Sequence, residues 1–255
     1  MKKLTTRDFR AFKKSKSNKT LSMLTCYDYQ SAQILNETQL DMVLVGDSVG
    51  NVILGFETTV EVTINDMITF SSAVKRGAQN KFVIADMPFG SYSTFEIGVE
   101  NAIKLFQASK VEALKLEGAF ENNLKIIKAL TENGIPVVGH IGLTPQSVHE
   151  QGGYYIHGKD EHAGKKIIEQ AKSLEKAGVF MVVLECVDAP LAKTITNELS
   201  IPTIGIGSGK DTDGQVLVIN DLLKLGPNTP PKFCKPVADL YQTKKELISK
   251  YLDEL

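Results

Sequence analysis

This sequence lacks tryptophan and is poor in cysteine, with only three cysteines among its 255 residues. Cys26, Cys186 and Cys234 lie far apart and are odd in number, which argues against both a CxxC zinc motif and a disulfide framework. No apolar stretch approaches the ~20 residues that a membrane-spanning helix needs, and the start of the chain lacks the apolar core of a signal peptide. These absences favour a cytoplasmic protein with no membrane partner.

The chain also lacks an excess of charge of either sign. It carries 29 basic and 30 acidic side chains, a formal net charge of −1, so no general electrostatic field attracts nucleic acid. No P-loop motif occurs, and the glycines at 205, 207 and 209 miss the GxGxxG dinucleotide pattern because position 210 is a lysine. We therefore expect small-molecule substrates and no nucleic-acid partner.

What the chain does have is a regular alternation of strand-like and helix-like segments. Hydrophobic residues make up 42% of it and charged residues 23%, which allows a large core. Continuous apolar runs, typical of strands buried on both faces, recur at Leu21–Thr25, 42–46, 82–85, 113–116, 136–139, 180–184, 202–206 and, more weakly, 232–235. Segments with helical spacing stand between them at 103–108, 124–130, 163–177 and 191–199.

This alternation predicts the fold class. About eight strand–helix units follow one another without a linker, which indicates an α/β protein with a single (β/α)8 TIM barrel domain over residues 1–255. A doubly wound open sheet is the alternative architecture. Residues 5–15 are predicted to form a short helix that caps the amino-terminal mouth of the barrel, and residues 237–255 a polar final helix.

Four of the apolar runs end in an acidic residue: Asp47, Asp86, Glu117 and Glu185. The carboxyl ends of parallel strands meet at one rim of a barrel, where barrel enzymes place their active sites. Clustered carboxylates repel one another or bind a hard cation, and oxygen ligands completed by water suit Mg²⁺ better than Zn²⁺. The pattern therefore predicts a Mg²⁺-dependent active site, although Asp47 taken alone could equally be a helix N-cap.

Two residues at the same rim suggest further chemistry. Lys115 lies two positions before Glu117 and so on the same face of its strand, and a buried lysine needs a partner. That partner is either a neighbouring acid or a substrate carboxylate; a Schiff base is disfavoured because a lysine among carboxylates keeps its proton. Glu185 is a candidate general base, with a structural ion pair to Lys115 or another base as the alternative. His140 is isolated in the sequence and does not compete as a metal ligand.

Seven motifs carry a resemblance to a known family. They are MLTCYDY at 23–29, VGDSVG at 45–50, ADMPF at 85–89, LKLEG at 114–118, GHIGLTPQS at 139–147, LECV at 184–187 and GIGSGKDTDGQVL at 205–217. In this order, and over residues 4–240, the chain closely resembles the ketopantoate hydroxymethyltransferase family.

The resemblance implies a Mg²⁺-dependent (β/α)8 barrel. Such an enzyme transfers a hydroxymethyl (one-carbon) unit from 5,10-methylenetetrahydrofolate to 3-methyl-2-oxobutanoate and forms 2-dehydropantoate, in pantothenate and coenzyme A biosynthesis. The resemblance also implies a homo-oligomer, since family members assemble as decamers.

The same resemblance implies a role for each residue at the strand ends. The implied metal ligands are Asp47, Asp86 and Glu117, the last either directly or through water, and the implied oxoacid-binding residues are Asp47, Ser48, Asp86 and Lys115. Glu185 would remove the C3 proton, and Mg²⁺ would stabilise the resulting enolate. The alternative functions are a Mg²⁺-dependent oxoacid C–C lyase without folate and a non-catalytic metabolite-binding barrel.

Overall fold

A closed barrel of parallel strands forms the centre of the molecule. The computed structural model describes residues 3–15 and 19–255. Within them, eight strands pair in chain order and the last closes on the first, which confirms the predicted (β/α)8 barrel. The strands are β1 (Leu21–Thr25), β2 (Met42–Val45), β3 (Phe82–Asp86), β4 (Ala113–Glu117), β5 (Val137–Gly142), β6 (Met181–Glu185), β7 (Thr203–Ile206) and β8 (Gly214–Leu217).

Helices connect the strands and surround the barrel. They are α1 (Thr6–Lys14), α2 (Tyr29–Glu37), α3 (Ile64–Gly77), α4 (Phe95–Ser109), α5 (Glu121–Glu132), α6 (Val148–Gln151), α7 (Glu161–Ala177), α8 (Ala189–Glu198), α9 (Ile219–Leu222) and α10 (Leu240–Asp253). The loops add a π-helix, Gly50–Leu54, and two 3-10 helices, Thr59–Glu61 and Pro145–Ser147. In the described part of the chain, no helix is both long enough and apolar enough to span a membrane.

The predicted strand positions are correct within a few residues for β1 to β7, but the prediction for the eighth strand is wrong. Residues 232–235 are irregular, and β8 is instead Gly214–Leu217, which pairs with β1 and β7. Prolines at 230, 231 and 236 flank the predicted segment, and proline cannot donate to a strand ladder. The true strand was missed because it has four residues and begins at a glycine in a polar stretch that is typical of a loop.

Helix α1 caps the amino-terminal mouth of the barrel, as predicted. Thr5 and Asp8 form a capping box that fixes its start, with the Asp8 Oδ2 atom accepting from the Thr5 backbone N–H at 2.8 Å. Phe9 is buried against Phe82 and Phe180, with ring centroids 5.0 and 5.9 Å away. Because these two rings stand at the amino ends of β3 and β6, α1 closes this end of the barrel.

Two apolar clusters, one inside the barrel and one between barrel and helices, explain the continuous apolar runs. On β4, Leu114 and Leu116 belong to the outer cluster, while Ala113 belongs to the inner one. Successive side chains of a strand face opposite sides, so Lys115 and Glu117 share the inward face with Ala113. Burial of each leucine side chain in the outer cluster stabilises the fold by about 1.5–3 kcal/mol. Lys115 and Glu117 must therefore point to the inside of the barrel.

Candidate active site

Asp47 and Asp86 lie side by side at the carboxyl-terminal rim. The pairing of β2 with β3 aligns residues 45 and 85, and the Asp47 backbone N–H donates to the Asp86 Oδ2 atom at 3.1 Å. The N-cap alternative for Asp47 is wrong, because its carboxylate accepts instead from the side chain of Gln146, with a distance of 2.8 Å between Nε2 and Oδ2. The two acids expected on adjacent strands are therefore close neighbours.

Lys115 lies among the carboxylates. Its Nζ atom is 3.0 Å from the Asp86 Oδ1 atom and 3.8 Å from the Glu117 Oε1 atom. Burial lowers the pKa of Lys115, but the charges of Asp86, Glu117 and Asp47 outweigh that effect and raise it above its ordinary value. The side chain is therefore a buried ammonium group, positioned to attract an anionic substrate.

His140 was missed by the sequence reasoning and links two of the acids. The register of β4 and β5 places it opposite Glu117, and its Nδ1 atom is 3.2 Å from the Glu117 Oε1 atom. Its Nε2 atom is 3.2 Å from the Glu185 Oε2 atom. Burial and Lys115 lower the pKa of His140, yet the bonds to the two glutamates prevail and raise it to about 9. The imidazole ring therefore lies between the two carboxylates, and a pKa of about 9 favours its protonated form near neutral pH.

Glu185 differs from the other three acids in its access to solvent. Its side chain is 17% exposed, whereas that of Glu117 is 3% and that of Asp86 is 2% exposed. It pairs with His140, so the predicted alternative of an ion pair with Lys115 or another base is met by the histidine and not by the lysine. The next residue, Cys186, has φ 48°, a left-handed conformation that costs a residue other than glycine on the order of 1–3 kcal/mol. Backbone strain thus accompanies the turn that presents Glu185.

Ser48 is held by a tyrosine that the sequence reasoning did not single out. The Tyr27 hydroxyl and the Ser48 Oγ atom are 2.8 Å apart. Burial raises the pKa of Tyr27, so its phenol stays protonated and available for this hydrogen bond. The serine hydroxyl therefore has a fixed partner on β1's side of the rim.

One small cavity of about 90 Å³ brings the predicted site residues together. Its polar lining includes all six of them and His140: Asp47, Ser48, Asp86, Lys115, Glu117, Glu185 and His140. Its apolar lining comes from the inward faces of several strands, at Leu44, Val183, Ile206 and Val216. The cavity therefore combines charged groups with an apolar wall, which suits a small acid with an alkyl chain.

The charges in this cavity do not balance. Four carboxylates face two cationic groups, Lys115 and His140. Burial and the neighbouring carboxylates raise the pKa of Asp47 well above its ordinary value, and burial also raises that of Asp86. A divalent cation would relieve this excess, and the oxygen donors are those that Mg²⁺ prefers.

The arrangement distinguishes among the three predicted ligands. Within residues 3–15 and 19–255, no three His, Cys, Asp or Glu side chains are grouped as a ready-made metal site. Asp47 and Asp86 are in direct contact through a backbone hydrogen bond, whereas Glu117 is engaged by His140 and Lys115, and its pKa is lowered by the His140 bond against the effect of burial. The donor set therefore fits two carboxylate ligands with water in the remaining positions.

The fold is that of a known class of barrel enzymes. A phosphoenolpyruvate phosphomutase from Streptomyces platensis subsp. rosaceus aligns with a TM-score of 0.68 and 11% identity, over 98% of this chain and 88% of that one. A complex of phosphonopyruvate hydrolase with oxalate and Mg²⁺ aligns with a TM-score of 0.64 and 10% identity, over 86% and 81%. The chain therefore has the barrel fold found in the PEP mutase/isocitrate lyase superfamily.

Sequence similarity identifies the family within that fold. A family model described as ketopantoate hydroxymethyltransferase matches residues 3–255. A 3-methyl-2-oxobutanoate hydroxymethyltransferase from Syntrophus aciditrophicus is 48% identical over all of this chain and 93% of its own length. One from Bdellovibrio bacteriovorus is 49% identical over 95% of this chain and 92% of its own. The chain belongs to the ketopantoate hydroxymethyltransferase family of transferases, which confirms the resemblance seen in its motifs.

Proposed function

We propose that this protein transfers a hydroxymethyl unit from 5,10-methylenetetrahydrofolate to 3-methyl-2-oxobutanoate and forms 2-dehydropantoate, with Mg²⁺ held by Asp47 and Asp86. Membership in the family supports the choice of reaction. The observation that carries the mechanism is the single cavity in which a buried lysine, a partly exposed glutamate and an excess of carboxylates meet.

The proposed metal site rests on the charge imbalance of the rim. Asp47 and Asp86 are the adjacent pair, and Glu117 contributes through water because its carboxylate already pairs with Lys115 and His140. Bound Mg²⁺ would supply Lewis-acid stabilisation of the negative charge that develops on the 2-oxo oxygen as the enolate forms.

Lys115 and Ser48 bind the oxoacid in this proposal. The ammonium group of Lys115 attracts the substrate carboxylate, and the Ser48 hydroxyl, held by Tyr27, donates or accepts a hydrogen bond at a fixed position. Ionic binding is favoured over a Schiff base, because the carboxylates around Lys115 keep its amine protonated and an ammonium group is not a nucleophile.

Glu185 is the proposed general base. Its carboxylate takes the proton from C3 of the oxoacid, and the C3 carbon then forms the new bond to the methylene carbon of the donor. The two C–N bonds that join this carbon to the donor break, one water molecule supplies the hydroxyl group, and tetrahydrofolate leaves as the second product. The His140 Nε2 atom lies 3.2 Å from the Glu185 Oε2 atom, and in its protonated form the histidine forms an ion pair with this carboxylate. The apolar wall of the cavity, including Val183 and Ile206, limits the access of water to the reacting carbon.

A turnover assay with both substrates tests this proposal. Purified protein is supplied with 3-methyl-2-oxobutanoate, 5,10-methylenetetrahydrofolate and Mg²⁺, and 2-dehydropantoate is measured with each component omitted in turn. We expect product only when all three are present. Consumption of an oxoacid without folate would favour the C–C lyase alternative, and no turnover at all would favour the non-catalytic barrel.

A further inference from the structure

Gln146 has no role in the proposal above, yet it is bonded to two of the acids. It lies in the 3-10 helix Pro145–Ser147 after β5 and is only 5% exposed. Its side-chain Nε2 atom donates to the Asp47 Oδ2 atom at 2.8 Å and to the Met87 carbonyl oxygen at 3.0 Å. Its backbone N–H donates to the Glu117 Oε2 atom at 3.1 Å. One residue thus contacts both Asp47 and Glu117.

A tyrosine fixes the orientation of this amide. The Tyr92 hydroxyl donates to the Gln146 Oε1 atom, so the carbonyl end of the amide faces the phenol and its NH₂ end faces two acceptors. Burial, with the nearby charges of Glu117 and Asp47, raises the pKa of Tyr92, which keeps the phenol protonated as a donor. The reverse orientation of the amide would place its oxygen against the Asp47 carboxylate.

These contacts have a consequence for Asp47. The amide of Gln146 occupies the Oδ2 atom, so the Oδ1 atom is the oxygen left to meet a cation directly. Free rotation of the carboxylate would cost affinity, because a ligand that must be ordered on binding loses conformational freedom at that step. Groups that hold metal ligands in place act in this way in many metal sites.

We infer that Gln146, oriented by Tyr92, is a positioning residue that presents the carboxylates of Asp47 and Glu117 to the metal ion. The inference rests on the Mg²⁺ site of the proposed function. The competing explanation is structural: Gln146 would only anchor the loop after β5 to the barrel.

The chain offers a matched control for the structural explanation. Gln151 is the last residue of α6, and its Nε2 atom donates to the Thr144 Oγ1 atom at 2.9 Å, while its Oε1 atom accepts from the Thr144 backbone N–H at 3.4 Å. It therefore braces the segment after β5 through a side-chain amide, as Gln146 does, but its hydrogen bonds go to Thr144 and to the Gly142 carbonyl oxygen and not to the acids of the cavity.

The test compares Gln146→Met, Tyr92→Phe and Gln151→Met with the parent. The dissociation constant of Mg²⁺ alone is measured by calorimetry on the metal-free protein, together with melting temperature, kcat and the KM for the oxoacid. We expect Gln146→Met to weaken Mg²⁺ binding roughly 10–100-fold, the usual effect of losing a group that supports a metal ligand. Tyr92→Phe should weaken it less and in the same direction, and Gln151→Met should lower only the melting temperature.

Two results would overturn the inference: parent-like Mg²⁺ affinity in Gln146→Met, or an equal loss in Gln151→Met. If Gln146→Met does not fold, Tyr92→Phe decides, since it removes one hydroxyl group, and unchanged affinity in that variant also refutes the inference. A parent protein that binds no Mg²⁺ refutes the metal site of the proposed function and the inference with it. Equal Mg²⁺ affinity in the parent and in Gln146→Met refutes the inference but leaves the proposed metal site intact.

Discussion

Replacing Glu185 with glutamine separates proton removal from binding. Glutamine has nearly the shape of glutamate but takes up no proton near neutral pH. The His140 Nε2 atom, 3.2 Å from the Glu185 Oε2 atom, can still donate to an amide oxygen, so the side chain keeps its place. The variant Glu185→Gln therefore removes the proposed base and leaves the cavity otherwise as it was.

The expected loss is in the upper part of the range for a general base. A positioned base contributes typically about 10²–10⁴-fold, which is about 3–5 kcal/mol of transition-state stabilisation. No neighbour is able to replace Glu185. Glu117 is 3% exposed and engaged with Lys115 and His140, and His140, with its pKa raised to about 9, already carries its proton at pH 7. We therefore expect a loss of about 10³–10⁴-fold.

Hydrogen–deuterium exchange at C3 of 3-methyl-2-oxobutanoate measures this step by itself. The oxoacid is incubated with Mg²⁺ and protein in deuterated water without the folate donor, and the C3 proton signal is followed by NMR. A matched control is Glu198→Gln on α8, whose exposed carboxylate pairs with Lys172 at 2.7 Å and should leave the exchange rate unchanged. Equal exchange rates in parent and Glu185→Gln would remove Glu185 as the base.

Three further predictions concern the metal, the lysine and the histidine. Asp47→Asn removes one charge from the proposed metal pair and should weaken Mg²⁺ binding measured by calorimetry, whereas an unchanged affinity would remove Asp47 from the ligand set. Borohydride with 3-methyl-2-oxobutanoate should trap no adduct, because carboxylates keep Lys115 protonated; a mass increase at Lys115 in a peptide map would restore the Schiff-base mechanism. The pKa of His140 is raised from 6.5 to about 9 in the folded protein, so its stabilisation is complete below pH 6.5 and is lost as the pH rises through 9. The unfolding free energy of the metal-free parent should therefore fall by about 3 kcal/mol over this window relative to that of His140→Gln. Denaturant titrations at several pH values measure this difference, and an unfolding free energy that changes equally with pH in both proteins would contradict the prediction.

Much of the barrel follows from the sequence because its strands are buried on both faces. Short, largely apolar runs such as 42–46 and 113–116 are typical of strands covered on both faces, and glycine or proline marks many of their ends. β8 escaped prediction because its four residues depend on pairing with β1 and β7 rather than on their own hydrophobicity. Pairing of this kind is a tertiary effect that local sequence does not encode.

The candidate site, too, was predictable from the sequence only in part. The four acids were found because each follows its own strand, which is a local signal, and parallel strands align their ends. His140 was treated as isolated, since its contacts with Glu117 and Glu185 cross from one strand to the next. Gln146 reaches Asp47 across 99 positions of the chain. The contacts of His140 with Glu117 and Glu185 depend on the register of β4, β5 and β6, which the sequence does not give.

The distribution of charge explains why the proposed ion belongs beside Asp47. Lys115 lies 3.0 Å from Asp86, and His140 lies 3.2 Å from both Glu117 and Glu185, so each of these three acids has a cationic neighbour. In the described part of the chain, Asp47 has no ion pair within 4.0 Å and is stabilised by the neutral amide of Gln146. An uncompensated buried carboxylate either takes up a proton, as the raised pKa of Asp47 indicates, or binds a cation. At the proposed metal site, protons and Mg²⁺ would therefore compete for the same carboxylate, and the charge imbalance of the metal-free cavity would be the source of the affinity for the ion.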